Sequence, residues 1–174
     1  MTTPALKFGC QTFTWKMLGA SWTGGPDDLI RAVADGGYAG IEITDTMIGA
    51  YAGHPVAFGQ RLADAGLHLV AFAFGSASGF TEADQSHADL EATRRWVDYA
   101  AHFPAALVSM GSATVMSGGA RDGKFGVAAE IYNHGADIGR AMGVSVALHP
   151  SSHPNTLLSS RADDDRIFGL LDAW

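Results

Sequence analysis

One cysteine in 174 residues, Cys10, leaves no partner for an internal disulfide. The chain therefore reads as a protein of a reducing compartment, the cytoplasm, with Cys10 an inert buried thiol. Basic side chains are also few. Eleven Lys and Arg stand against 18 Asp and Glu, a formal net charge of −7, and nucleic-acid binding needs a basic footprint that this balance does not give. No apolar run approaches about 18 residues and no basic segment precedes an apolar one, so neither a membrane span nor a secretion signal is expected. The glycine-rich stretches Gly75-Ser76-Ala77-Ser78-Gly79 and Ser117-Gly118-Gly119 fit neither the P-loop nor the dinucleotide fingerprint. They read as flexible loops, and no nucleotide cofactor is expected.

What is present is enough apolar sequence, 47% of the chain, for one core, and a single domain over residues 1–174 is the expectation. Five apolar runs read as strands: Leu6 to Phe13, Gly40 to Asp45, Leu67 to Phe74, Ala106 to Gly111 and Val144 to Leu148. The third is nearly continuous in apolar character, as in a strand covered on both faces. Helical patterns follow: one opened by Asp27-Asp28 and closed by Gly36-Gly37, then Val56 to Ala65, His87 to His102, Phe125 to Met142 with Gly143 as its left-handed cap, and a last one from Arg161 to Trp174. Trp15 and Trp22 fall in what reads as a loop. Strand starts recur every ~27 to 39 residues, the period of a β-loop-α unit. The fold class is therefore α/β with a parallel sheet, a partial (β/α)8 TIM barrel of about five units.

Gly9-Cys10-Gln11-Thr12-Phe13-Thr14-Trp15, then Gly37-Tyr38-Ala39-Gly40-Ile41-Glu42, then Asn133-His134-Gly135 leading through Met142-Gly143-Val144 to Leu148-His149-Pro150, resemble in order and spacing the sugar phosphate isomerase/epimerase family. That family has the xylose-isomerase-like TIM barrel. The resemblance implies metal-assisted proton transfer on a small sugar or polyol. It also implies a divalent Mn, Mg, Co or Zn ion held by carboxylates and a histidine, with paired glutamates after strands five and eight. This chain has His149 after its fifth strand, and the resemblance extends over about five of the eight units. Such a sheet exposes a strand edge, so the expectation is completion by a second copy, as a homo-oligomer, or by a separate chain, with a truncated piece of a longer enzyme as the further alternative.

Parallel barrels carry their chemistry at the C-terminal ends of the strands. Glu42 and His149 are accordingly the catalytic candidates, and His149 the candidate metal ligand. Gln11, Trp15, Asp45, Phe74, Ser109 and His153 are the candidates for substrate contact. Each has a plain structural alternative: Glu42 as a carboxylate bonding neighbouring backbone, His149 and His153 as loop histidines, Trp15 and Phe74 as core aromatics. Two functions stand side by side on these residues, a sugar isomerase or epimerase and a non-catalytic partial barrel that binds or oligomerises.

Overall fold

Each apolar run becomes a short strand, and a helix returns the chain to the start of the next. The structure, a computed structural model, describes residues 6–151 and 153–172. Five strands, β1 (Gly9–Gln11), β2 (Gly40–Thr44), β3 (His68–Phe74), β4 (Leu107–Met110) and β5 (Ser145–Leu148), lie in one sheet in chain order. The helices are α1 (Phe13–Met17), α2 (Pro26–Asp35), α3 (Pro55–Asp64), α4 (Ser86–Ala100), α5 (Arg121–Met142) and α6 (Arg161–Leu170). The pairs β1–β2, β2–β3 and β4–β5 are parallel, so the expected partial TIM barrel is the fold observed. No helix among the described residues is long and apolar enough to cross a membrane.

The chain divides into two compact units, the first comprising Met1–Ala73 with His102–Ala106 and the second Phe74–Ala101 with Leu107–Trp174. In the first unit α2 begins at Pro26, whose missing N–H costs nothing in a first turn, and Asp28 accepts from the Gly25 N–H at 2.9 Å. Leu29, Ile30 and Val33 recur at helical spacing and are buried with Ile41 and Ile43 of β2. Phe58 of α3 is fully buried, its ring 5.3 Å from Tyr51 and 5.8 Å from Phe103. Burial of a side chain of this size stabilises the unit by about 2–3 kcal/mol.

Register in this unit begins with Gly9 opposite Gly40 and ends with Gln11 opposite Glu42. Between β2 and β3 it slips: Ile41 pairs with Leu69, but Glu42 pairs with Ala71, so Val70 is an extra residue in β3. The expectation of a strand covered on both faces therefore fails at the first half of β3, where His68 and Val70 are exposed, Val70 by 41%. The first strand is also shorter than its apolar pattern. Thr12 is fully buried and its N–H donates to the Glu42 carbonyl at 3.1 Å. The Trp15 N–H then returns to the Thr12 carbonyl, which turns the chain into α1, so Trp15 is helical rather than in a loop.

The second unit packs α4 and α5 against β4 and β5. Phe74, Phe80 and Tyr132 form a chain of rings with centroids 5.8 and 5.7 Å apart, and the Tyr132 hydroxyl donates to the Gly111 carbonyl at 2.9 Å. Burial, with the nearby Asp89 charge second, holds the Tyr132 phenol neutral far above its ordinary range. Gly143 caps α5 at φ 71° as expected. Asn133 ties α5 to the chain after α6, donating to the Leu170 carbonyl at 3.2 Å and accepting from the Asp172 N–H at 2.9 Å. Helix α6 ends at Leu170, and residues 173 and 174 of the expected helix lie outside the described residues.

The glycine-rich loops expected to be flexible are tied down. Ser76 and Ser78 both donate to the Asp89 carboxylate, Ser78 at 2.6 Å, and Ser78 in turn accepts from the Phe80 N–H. Gly79 sits at φ 65°, its carbonyl accepts from the Thr114 N–H at 2.8 Å, and a Cβ there would fall on the Thr114 carbonyl oxygen. Gly79→Ala combines a disfavoured backbone with a collision, and is expected to cost at least about 2 kcal/mol of stability. Urea denaturation with fluorescence detection checks this, the expected result being a midpoint shift with an unchanged slope.

Candidate functional site

In the first unit the polar residues gather where β1 and β2 end. Strand alternation puts Gln11 and Glu42, register partners, on the same face. The Gln11 Nε2 donates to Glu42 Oε1 at 2.8 Å. Glu42 is half-buried, and its Oε2 accepts no hydrogen bond among the described residues. One carboxylate oxygen is thus fixed by an amide while the other keeps its lone pairs, the arrangement a general base needs.

Two residues on, Thr44 is buried and its hydroxyl lies 3.0 Å from that of Thr46. The Lys16 ammonium donates to the Thr46 hydroxyl at 2.9 Å and lies 5.7 Å from the Phe13 ring centre. Asp45 turns its Oδ1 to the Thr46 N–H at 2.8 Å, while its own N–H continues the ladder to Ala73. Its carboxylate therefore shapes the turn after β2. Trp15 is half-buried and stands edge-on to Trp22, ring centres 6.4 Å apart. Cys10 is half-buried rather than buried, and desolvation raises its thiol pKa, in keeping with an unreactive group.

The second unit holds the remaining candidates. Phe74 is 3% exposed and its faces are taken by the core, with Phe80 edge-on against it, so it serves packing and presents no wall to a ligand. Ser109 is half-buried in mid-strand opposite Ala147, one position short of the end of β4. His149 extends the β4–β5 ladder through its N–H to the Met110 carbonyl and carries an exposed imidazole. His153 is committed to its own loop: Nδ1 lies 2.8 Å from the Pro154 carbonyl and Nε2 3.3 Å from the Thr114 hydroxyl. Both ring nitrogens are thus engaged within the second unit.

A divalent ion in a protein site needs about three or four side-chain ligands. Among the described residues no group of three His, Cys, Asp or Glu side chains is placed to hold one. His149 alone supplies a single imidazole, so the described residues do not fit a metal centre by themselves.

Sequence reasoning missed Lys16, Thr44 and Thr46 because a lysine in a presumed loop carries no pattern. It also missed the pair of Lys124 and Glu82. Lys124 falls in helical phase with Ala128, Ile131 and Gly135 on the buried face of α5, and that phase was the available signal. Its side chain is 8% exposed, the ammonium donates to Glu82 Oε1 at 2.7 Å, and Ser117 donates to Glu82 Oε2 at 2.7 Å. The loop at Ser117-Gly118-Gly119 is thereby anchored to the segment before α4.

No family model matches the chain, and no curated protein matches its sequence. Solved structures do match its fold. A sugar phosphate isomerase/epimerase from Parabacteroides distasonis ATCC 8503 is similar at TM-score 0.65 and 17% identity, over 99% of this chain and 64% of that protein. An L-ribulose 3-epimerase is similar at 0.70 and 18%, over 95% and 57%. The IolI protein, solved with a bound zinc atom, is similar at 0.76 and 12%, over 97% and 60%. The chain thus spans about three fifths of the length of each of these proteins, and at these identities the likeness is one of fold.

The hydrogen bond from Lys124, then that from Ser117, holds the Glu82 carboxyl down to about 2 from its ordinary 4.5. A folded-state value below the unfolded one gives stability that is complete above about 4.5 and lost as pH falls toward 2. Thermal unfolding of the wild type is expected to steepen in its pH dependence across that window. Glu82→Gln is expected to flatten the dependence there, in melts followed by circular dichroism.

Proposed function

We propose that the chain is a sugar isomerase- or epimerase-type protein that moves a proton at a carbon beside a carbonyl of a small sugar or polyol. The observation that carries this reading is the Glu42 carboxylate, held at one oxygen by Gln11 and open at the other where β1 and β2 end. In the proposed step Glu42 Oε2 takes the carbon-bound proton as the electron pair moves toward the carbonyl, and the proton is returned to the resulting enediolate. Gln11 is the positioning residue. Trp15 and Asp45, in the same unit, flank the substrate.

The likeness in fold to an L-ribulose 3-epimerase and to a sugar phosphate isomerase/epimerase supports this class of reaction. A divalent cation is part of the reading, the IolI neighbour having been solved with zinc. Since the described residues offer it His149 and no group of three ligands, the reading assigns the remaining ligands to whatever completes the barrel, whether a second copy, a separate chain or further sequence of a longer protein. Exposed Phe8, Met17 and Leu18 beside β1 support such an assembly. The cytoplasm is the compartment that suits the single thiol.

Incubation with ketopentoses and ketohexoses in D2O with added Mn2+, followed by proton NMR, tests the reading. The assembly state is read by size-exclusion chromatography and retained metal by elemental analysis. Deuterium is expected at the carbon beside the carbonyl, and Glu42→Gln is expected to slow its entry by about 100-fold or more. A rate equal to the metal-only blank for every sugar would leave the chain a non-catalytic partial barrel.

A further inference from the structure

We infer that two copies of the chain associate through the outward face of α4, antiparallel about a twofold axis. Asp89, Thr93, Trp96 and Ala100 form the buried side of this helix. Spacings of four, three and four residues set His87, Glu91, Arg94 and Asp98, all exposed, in one line on the other side. The line is roughly 16 Å long and runs along a groove of about 680 Å3 that half-buried Leu90 and Met142 border. All of these residues belong to the second unit. A solvated helix satisfies such charges along its own axis, as His87 and Glu91 do at 3.3 Å. Arg94 and Asp98 stand at the same spacing and make no ion pair among the described residues. Arg95 is held to its own helix, 4.4 Å from the Trp96 ring centre.

The order of groups along the line names the occupant. His87, whose Nε2 is a hydrogen-bond donor to carboxylate, is followed by an acid, a base and an acid. In an antiparallel pair of identical helices, two residues stand level when they lie equally far from the twofold axis on opposite sides of it. With the axis level with the midpoint of Ala92 and Thr93, Glu91 stands level with the partner's Arg94 and His87 with the partner's Asp98. Symmetry makes each pairing twice. Moving the axis two residues toward the C-terminus sets Arg94 level with the partner's Arg95 and Glu91 level with the partner's Asp98, like against like in both cases. The charge order thus selects a second copy and one register for it. The contact uses no strand edge, so it is separate from completion of the barrel. Being made largely of exposed charges, it is weak and salt-sensitive.

Sedimentation velocity over a range of protein concentrations tests this with the wild type, Glu91→Arg, Arg94→Glu and the double variant. Far-UV circular dichroism is expected to show all four folded, the changes being at exposed positions. The wild type is expected to dimerise, with a dissociation constant that rises about tenfold or more between ~20 and ~500 mM NaCl. Each single change sets like charges level and is expected to weaken the dimer by about tenfold or more, and the double variant, which exchanges the two signs, to recover it. An equimolar mixture of the two single variants is expected to form a heterodimer, because one copy then carries two bases and the other two acids at the levels that meet. A wild type that is monomeric at both salts overturns the interface. So does a dimer that both single variants keep, which places the association elsewhere on the chain, or a mixture that sediments as monomers.

Discussion

Gln11 lies opposite Glu42 because Gly9 lies opposite Gly40. Successive side chains of a strand point to opposite faces, so a one-residue slip would turn Gln11 away from the carboxylate and leave it unheld. The pairing is secured at its base by the absence of side chains: a Cβ on Gly40 would meet Val70 Cγ1 at 2.6 Å, and one on Gly9 would meet Val70 Cγ2 at 3.3 Å. Val70 fills the space that two glycines leave, and the strands close up beneath the site. At the other end the Thr12 N–H, bonded to the Glu42 carbonyl, stops β1 and starts α1, which carries Lys16 across to Thr46. Each polar contact of the first unit's candidate site follows from that register.

The order of elements was legible because apolar runs followed by helix-length intervals repeat five times, with glycines closing three of the helices, and each signal agrees with its neighbours. Element ends were less so. Leu6 to Phe13 has the alternation of a longer strand, but a buried threonine, whose hydrogen bond is non-local, ends it at Gln11. Glu42 and Gln11 could be read as candidates from their place at strand ends. Their contact could not, since it depends on pairing across 31 positions. The roles of Phe74 and His153 were opaque for the same reason: an aromatic at a strand end is core or wall according to what packs on it, and a histidine is a ligand only if its nitrogens are left free.

The second unit spends its polar groups on holding loops. Asp89 takes two serine hydroxyls, Ser112 and Thr156 bond at 2.9 Å, and Lys124 with Glu82 and Ser117 fixes the approach to α5. Buried charge is costly unless paired and hydrogen-bonded. The Glu82 carboxylate meets that condition with an ammonium and two hydroxyls. Asn133 and Gly135, part of the pattern that suggested a family, act within this framework, Asn133 at the end of α6 and Gly135 against Met110, whose Sδ would lie 2.8 Å from an added Cβ.

The extra residue in β3 decides what surrounds Glu42. Without it, unbroken pairing from Ile41 and Leu69 would set Val70 opposite Glu42, Ala71 opposite Ile43 and Phe72 opposite Thr44. With it, Ala71 stands opposite Glu42, Ala73 opposite Thr44, and Phe72 moves to the Ile43 side, where it is fully buried. The bulge thus acts as a sorting device. It sends the bulky ring to the hydrophobic layer and lines the carboxylate's side of the strand with methyl groups, so room beside the carboxylate is set by a change of phase in the ladder rather than by the choice of small residues alone.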